Sequence, residues 1–199
     1  AKPDFVSTEN PAGNSFEIPS HAVQISEGVF SLGTARDVDG RLVQGFMFIH
    51  NKRENAKPSW AGGGSGDSTC YTFLSKGAKW KTVEPWIVNP TNSESLSNAF
   101  VLSNLAADIQ KWEDASSFNI LGDGSSTSEV LVADTSSPDD KNEVYFADVS
   151  SPGAIAVTTV WGIFYGPIQN RELVEWDQIY DDVDFGWSSS GEAGKMDFE

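Results

Sequence analysis

Carboxylates supply most of the reactive chemistry in this chain. Asp139-Asp140, Asp177, Asp181-Asp182 and Asp184 place acids close together along the sequence. Two carboxyls facing each other across a cleft can hydrolyse a glycoside, one as acid and the other as base or nucleophile. Clustered carboxylates also suit hard cations such as calcium. "YDDVDF", with Asp181, Asp182 and Asp184, is the best calcium candidate, set against a plain solvated loop. It lacks the EF-hand spacing, as does Asp37-Val38-Asp39-Gly40, which serves better as a turn. The only histidines are His21 and His50, and the only cysteine is Cys70. With no His-x-x-x-His and no Cys-x-x-Cys, these cannot assemble a three-ligand catalytic zinc site. Structural or surface roles are expected of both histidines. "GGGSGD" puts Ser65 out of register for a nucleophile elbow, and no Gly-Lys-Ser/Thr follows to make a phosphate loop. Trp60, Trp80, Trp86, Trp161, Trp176 and Trp187 could stack on sugars or peptides, although most are expected to anchor core or turns.

These groups sit on a chain of 199 residues, of which 39% are hydrophobic and 12% aromatic, enough for a real core. No apolar run approaches the roughly 20 residues of a membrane span. The formal net charge of −16 repels nucleic-acid phosphates and anionic membranes. A lone Cys70 is a free thiol, a link to another chain, or half of a disulfide. The start at Ala1-Lys2-Pro3 reads as a mature secreted protein whose signal peptide is already removed.

The elements that must position these residues are mostly strands. Residues 1–22, with Pro3, Pro11 and Pro19, read as an extended arm. Period-two alternation on either side of Asp39-Gly40 predicts a β-hairpin over 23–50, within a module of 23–57. Residues 58–69 read as a Gly-rich linker. From Cys70 onward the chain looks globular, with two short strands in "CYTFLSKGAKWKTVEPWIVN". "ESLSNAFVLSNLAADIQKWEDASS" predicts one long helix whose core face is Val101, Leu105, Ile109 and Trp112. "EVLVAD", "NEVYFADV", "AIAVTTVWGIFYG" and "ELVEWDQIYDD" read as strands. Lys195 to Glu199 read as the first turn of a further helix. Strands, one helix, then strands give an α+β or α/β fold with a mixed sheet.

The last two thirds, residues 70–199, resemble the matrixin-like zinc metalloproteases of the metzincin clan, closest to secreted archaeal-type members. "LAADIQKWEDASSFNIL" is similar to the family's first long helix, "NEVYFADV" to its third strand and "AIAVTTVW" to its edge strand. "ELVEWDQIYDDVDFGW" is similar to the next strand, and "GEAGKMDF" to the approach to the active-site helix. The resemblance implies an α+β, zincin-like N-terminal subdomain, a twisted mixed sheet with one long helix, preceded by the hairpin module. It implies that Ala154, Ile155, Ala156, Val157, Thr158 and Thr159 form an edge strand that pairs with extended peptide substrate. The family's His-Glu-x-x-His motif, which binds zinc and supplies the base, would fall after Glu199. Zinc is therefore expected for a complete protein, none is expected on this chain alone, and calcium stays open. The family's Pro-Arg-Cys-Gly switch is not matched by "GDSTCYTF", and a disulfide from Cys70 to a more C-terminal cysteine is what the resemblance implies.

Two functions follow as expectations. One is the N-terminal portion of a secreted zinc metalloendopeptidase, inactive without the missing motif. The other is a non-catalytic extracellular protein: an inhibitory pro-segment, a surface module or an assembly subunit. Expected partners are a peptide or protein substrate or the missing C-terminal part, with self-association at an exposed strand edge and no nucleic acid.

Overall fold

The computed structural model describes residues 13–52, 73–116 and 118–198. Residues 1–12, the Gly-rich stretch 58–69, Trp60 and Cys70 lie outside them. The strands are β1 (Ser15–Phe16), β2 (Val23–Ser26), β3 (Val29–Arg36), β4 (Leu42–Asn51) and β5 (Glu84–Asn89). After helix α1 (Asn98–Ser116) come β6 (Leu121–Ser126), β7 (Asn142–Val149), β8 (Ala154–Ile163), β9 (Glu172–Asp181), β10 (Trp187–Ser188) and β11 (Met196–Asp197).

Nine strands form one mixed sheet in the order β2-β3-β4-β8-β9-β7-β5-β6, with β1 beside the far end of β7. The half from β2 to β9 is antiparallel, and the half from β9 to β6 is parallel. This overturns the zincin-like α+β subdomain with a preceding hairpin module. The fold is dominated by the sheet, and the 23–50 hairpin is part of it, since β4 pairs with β8 from Gln44↔Gly162 to Asn51↔Ala154. The reason lies in the alternation of β4. Val43 and Met47 are fully buried and pack in one cluster with Val157 and Trp161 of β8. A two-stranded hairpin alone could not cover that apolar face.

Each face of the sheet has its own core. One holds Met47, Tyr145, Trp161 and Ile179, closed by Phe16 and by Leu131 and Ala133 of the irregular segment 127–141. Phe16 is buried there, so the N-terminal arm is packed from β1 onward. The opposite core holds Trp86, Val88, Val144 and Phe146 under α1, with Trp187 and Phe198. Ser97 caps α1, its Oγ accepting the Phe100 N–H. At the other end Glu113 Oε1 accepts the N–H groups of Ile120 and Leu121, tying the helix to β6. The helical turn expected at 195–199 is not formed among the described residues, where Met196–Asp197 is a strand. β11 pairs with β10, and Phe198 stacks among Phe146, Tyr180 and Trp187. Burying that ring favours the extended path over a helix start.

"EVLVAD" is not a strand either. Its alternation is real, with Leu131 and Ala133 buried and Val130 and Val132 exposed. Its N–H groups, however, find side chains on the sheet rather than a neighbouring strand: Val132 donates to Glu143, Ala133 to the Tyr145 hydroxyl, and Asp134 to Asp177. Residues 127–141 thus form a strap across the sheet.

Candidate functional site

Two places gather functional side chains. The first is a groove between α1 and the sheet. Only Val101 and Leu105 of the helix are buried. Beyond Leu105 the apolar stripe is covered less and less: Ile109 is half-buried against the core and Trp112 is 74% exposed. The sequence assigned Trp112 to the core; the helix carries it to the lip of a groove instead. That groove has a volume of about 560 Å³. Its walls include Trp80, Trp112, Trp176 and Tyr180, and its polar groups include Asp108 and Gln178. Trp80 is brought there because the Lys79 carbonyl accepts the Leu173 N–H beside β9. Trp176, Gln178 and Tyr180 are alternate residues of β9 and so share a face. Gln178 is held in place: its Oε1 accepts from Thr158 Oγ1 at 2.6 Å, and its amide nitrogen donates to the Val157 carbonyl at 3.2 Å. His50 reaches the same Thr158 hydroxyl at 2.8 Å, while His21 meets the Thr135 carbonyl at 2.9 Å.

The second place lies on the other face, under the strap. Glu175 and Asp177 of β9 are buried. Glu175 Oε2 accepts the N–H groups of Asp139 at 2.7 Å and Asp140 at 2.6 Å. Asp177 accepts from the Asp134 and Glu143 N–H groups and from the Thr159 hydroxyl. The Trp161 indole donates to the Asp134 carbonyl at 2.7 Å. Burial raises the Glu175 carboxyl well above the usual range, with Asp177 and Asp134 adding like-charge repulsion. Burial pushes Asp177 up to about 7 against the pull of its three donors. Asp134 is raised by burial and by the nearby Asp139.

The residues picked out by sequence are placed differently. Ala154 to Thr159 do not form an edge: β8 is hydrogen-bonded to β4 on one side and β9 on the other. Its backbone has no free side to offer an extended peptide, because the hairpin that reads as a separate module has joined there. Asp181, Asp182 and Asp184 do not converge. Asp181 turns its carboxylate to the N–H groups of Val149, Val183 and Asp184, whereas Asp182 turns to Ser93. Successive residues at the end of a strand point to opposite faces. Among the described residues the carboxylates whose oxygens do come together are Asp134, Asp139 and Glu175. Asp134 and Glu175 escape notice in the sequence because 41 positions separate them; only the strap pairs them. Among the described residues no helix is long and apolar enough to cross a membrane.

The fold and its site define a mixed β-sheet domain with an aromatic groove on the helix side and a carboxylate-bound strap on the other. No family model matches the chain, and neither a curated protein nor a solved structure matches it.

Proposed function

We propose that this chain is a non-catalytic binding protein whose groove takes a neutral sugar chain. The observation that carries this reading is the groove itself, with Trp80, Trp112, Trp176 and Tyr180 around Asp108 and Gln178. Flat aromatic faces beside a few fixed polar groups match the chemistry of a sugar ring, which has apolar C–H faces and a hydroxyl rim. The volume falls in the range of small-ligand sites, about 300–1,000 Å³. Covering roughly 100 Å² of an exposed indole is worth about 2.5 kcal/mol at ~25 cal/mol per Å². Two such rings supply about 5 kcal/mol, comparable to the −4.1 kcal/mol of roughly millimolar binding before ordering costs are subtracted. Binding rather than hydrolysis is favoured by the lining: among the described residues Asp108 is its one carboxylate, and glycoside hydrolysis needs two. The charge of −16 disfavours polyanionic glycans and nucleic acid.

An extracellular setting, expected from the sequence, belongs to this proposal. So does self-association, which moves from β8 to β2, a strand at one end of the sheet. The metallopeptidase reading has no comparable observation behind it, since the strand meant to hold peptide is paired on both sides.

Tryptophan fluorescence tests the proposal. Neutral oligosaccharides of several linkages should give a saturable change in emission. Trp112→Ala should abolish it while leaving the thermal melt within a few degrees of wild type. If no neutral oligosaccharide gives a saturable signal, or if Trp112→Ala binds as well as wild type, the groove is not a sugar site.

A further inference from the structure

We propose that Asp134, Asp139 and Glu175 form a binding site for a hard divalent cation, of which calcium fits best. One oxygen from each of the three carboxylates lies within 4.8 Å of the others. Two of these residues belong to the strap and one to β9, so the site is assembled only when the strap is seated.

A cluster of acids alone would not make a site; the state of Glu175 does. Its side chain is 0% exposed. Oε2 is occupied by two backbone donors, while Oε1 has no hydrogen-bond partner. A buried carboxylate oxygen left alone is costly, and either a proton or a cation must relieve it. A proton on Glu175 could bond to the Asp134 carboxylate, but it removes one charge only and leaves Asp134 and Asp139 repelling each other. A divalent cation satisfies the orphaned oxygen and both neighbours at once. Among the described residues no cationic side chain does this. Lys141 pairs with Asp139, yet its side chain is 62% exposed and it is not paired with Glu175. Arg41 is engaged by Asp37 and Glu172. Among the described residues Asp140, Glu143 and Asp177 around the strap add only acidic groups, and His21 lies at the Thr135 carbonyl.

The donor set selects the ion. All three ligands are carboxylate oxygens, with no imidazole or thiolate to favour zinc or copper. Calcium takes six to eight oxygens in flexible geometry and can complete its shell with water, whereas magnesium demands a near-ideal octahedron. Asp139 is 43% exposed, which leaves the site open to solvent and ion on that side. Because its ligands join strap to sheet, the bound ion pins residues 127–141 against β9.

The full-length chain, stripped with a chelator, is the material for the test. Calorimetric titration with calcium should give one ion per chain and a higher melting temperature. Terbium should bind the same site and luminesce on excitation of Trp161, whose indole contacts the Asp134 carbonyl; calcium should quench that signal by displacement. Glu175→Gln keeps an amide oxygen for the two N–H donors and should weaken calcium binding at least tenfold. Asp139→Asn, at an exposed position, should do the same and guards against a misfolded Glu175 variant. Asp182→Asn should bind like wild type. Absence of stoichiometric calcium and terbium binding would overturn the site in favour of a proton on Glu175. Binding that survives Asp139→Asn and Glu175→Gln, or that is lost in Asp182→Asn, would overturn it equally.

Discussion

Asp182 shows how a single buried carboxyl sets a pH response. It is 1% exposed; Oδ2 accepts the Ser93 N–H and Oδ1 has no partner. Burial raises it from 3.8 to about 6. Between those values the folded chain holds a proton that the unfolded chain has released. Stability from this group is therefore full at low pH and falls as pH rises through about 6, then levels off. Asp182→Asn removes the titration. Wild type relative to the variant should lose on the order of 1–3 kcal/mol between pH 4 and pH 7. Urea unfolding of both proteins across that window measures it, and parallel pH profiles would refute it. Gly45 makes a steric point at the same scale. It lies directly across from Trp161, and a Cβ there would meet the indole ring at 2.6 Å. Gly45→Ala should cost about 1–3 kcal/mol, the range for overpacking a filled core, seen as a lower urea midpoint at unchanged slope.

Elements here depend on partners that local sequence does not name. Strands β7, β8 and β9, each with a neighbour on both sides, were legible because alternating or continuous apolar runs such as "NEVYFADV" survive in any sheet context. The β3–β4 turn was legible from Asp39-Gly40, and Gly40 takes a φ of +80° there. "EVLVAD" carried the same alternation yet forms the strap, because period two reports burial of one side, not the identity of the hydrogen-bond acceptor. The acceptors are Glu143, Tyr145 and Asp177, between 11 and 43 positions away. The same distance hid the candidate cation site, and the exposed Trp112 could not be told from a core residue by helical spacing. Tyr145→Phe tests how the strap is held. It removes the hydroxyl that accepts the buried Ala133 N–H at 3.0 Å and leaves the ring in place. An orphaned buried N–H costs about 1–3 kcal/mol. The variant should lose that much stability, and the Ala133 amide should exchange faster relative to amides of β7. Uniform loss of protection across the sheet would instead mean that the strap and sheet open together.

At the scale of the whole molecule, two features oppose each other. Among the described strands, β2 and β6 end the sheet. β6 is "LGDGSS", with two glycines and little side chain to pack against a newcomer. β2 is "VQIS", wholly exposed, with Val23 63% and Ile25 55% accessible, and among the described strands it pairs with β3 alone. An apolar strand with an open backbone edge is a template for a second copy. Against this stands a net charge of −16, which keeps copies apart at long range. The repulsion is screened as the Debye length falls from about 10 Å at 0.1 M salt to about 3 Å at 1 M, while the attraction between edges is short-ranged and apolar and is not screened. Association should therefore rise with salt, the reverse of what an ion-paired interface would do. Sedimentation velocity at low and high sodium chloride should show the weight-average mass increasing with salt. Ile25→Lys places a charge on the edge and should hold the chain monomeric at both, with little change in melting temperature because the side chain is already exposed. Salt-dependent association that Ile25→Lys leaves intact would place the contact elsewhere, with the exposed Trp112 and the groove beside it as the next surface to substitute.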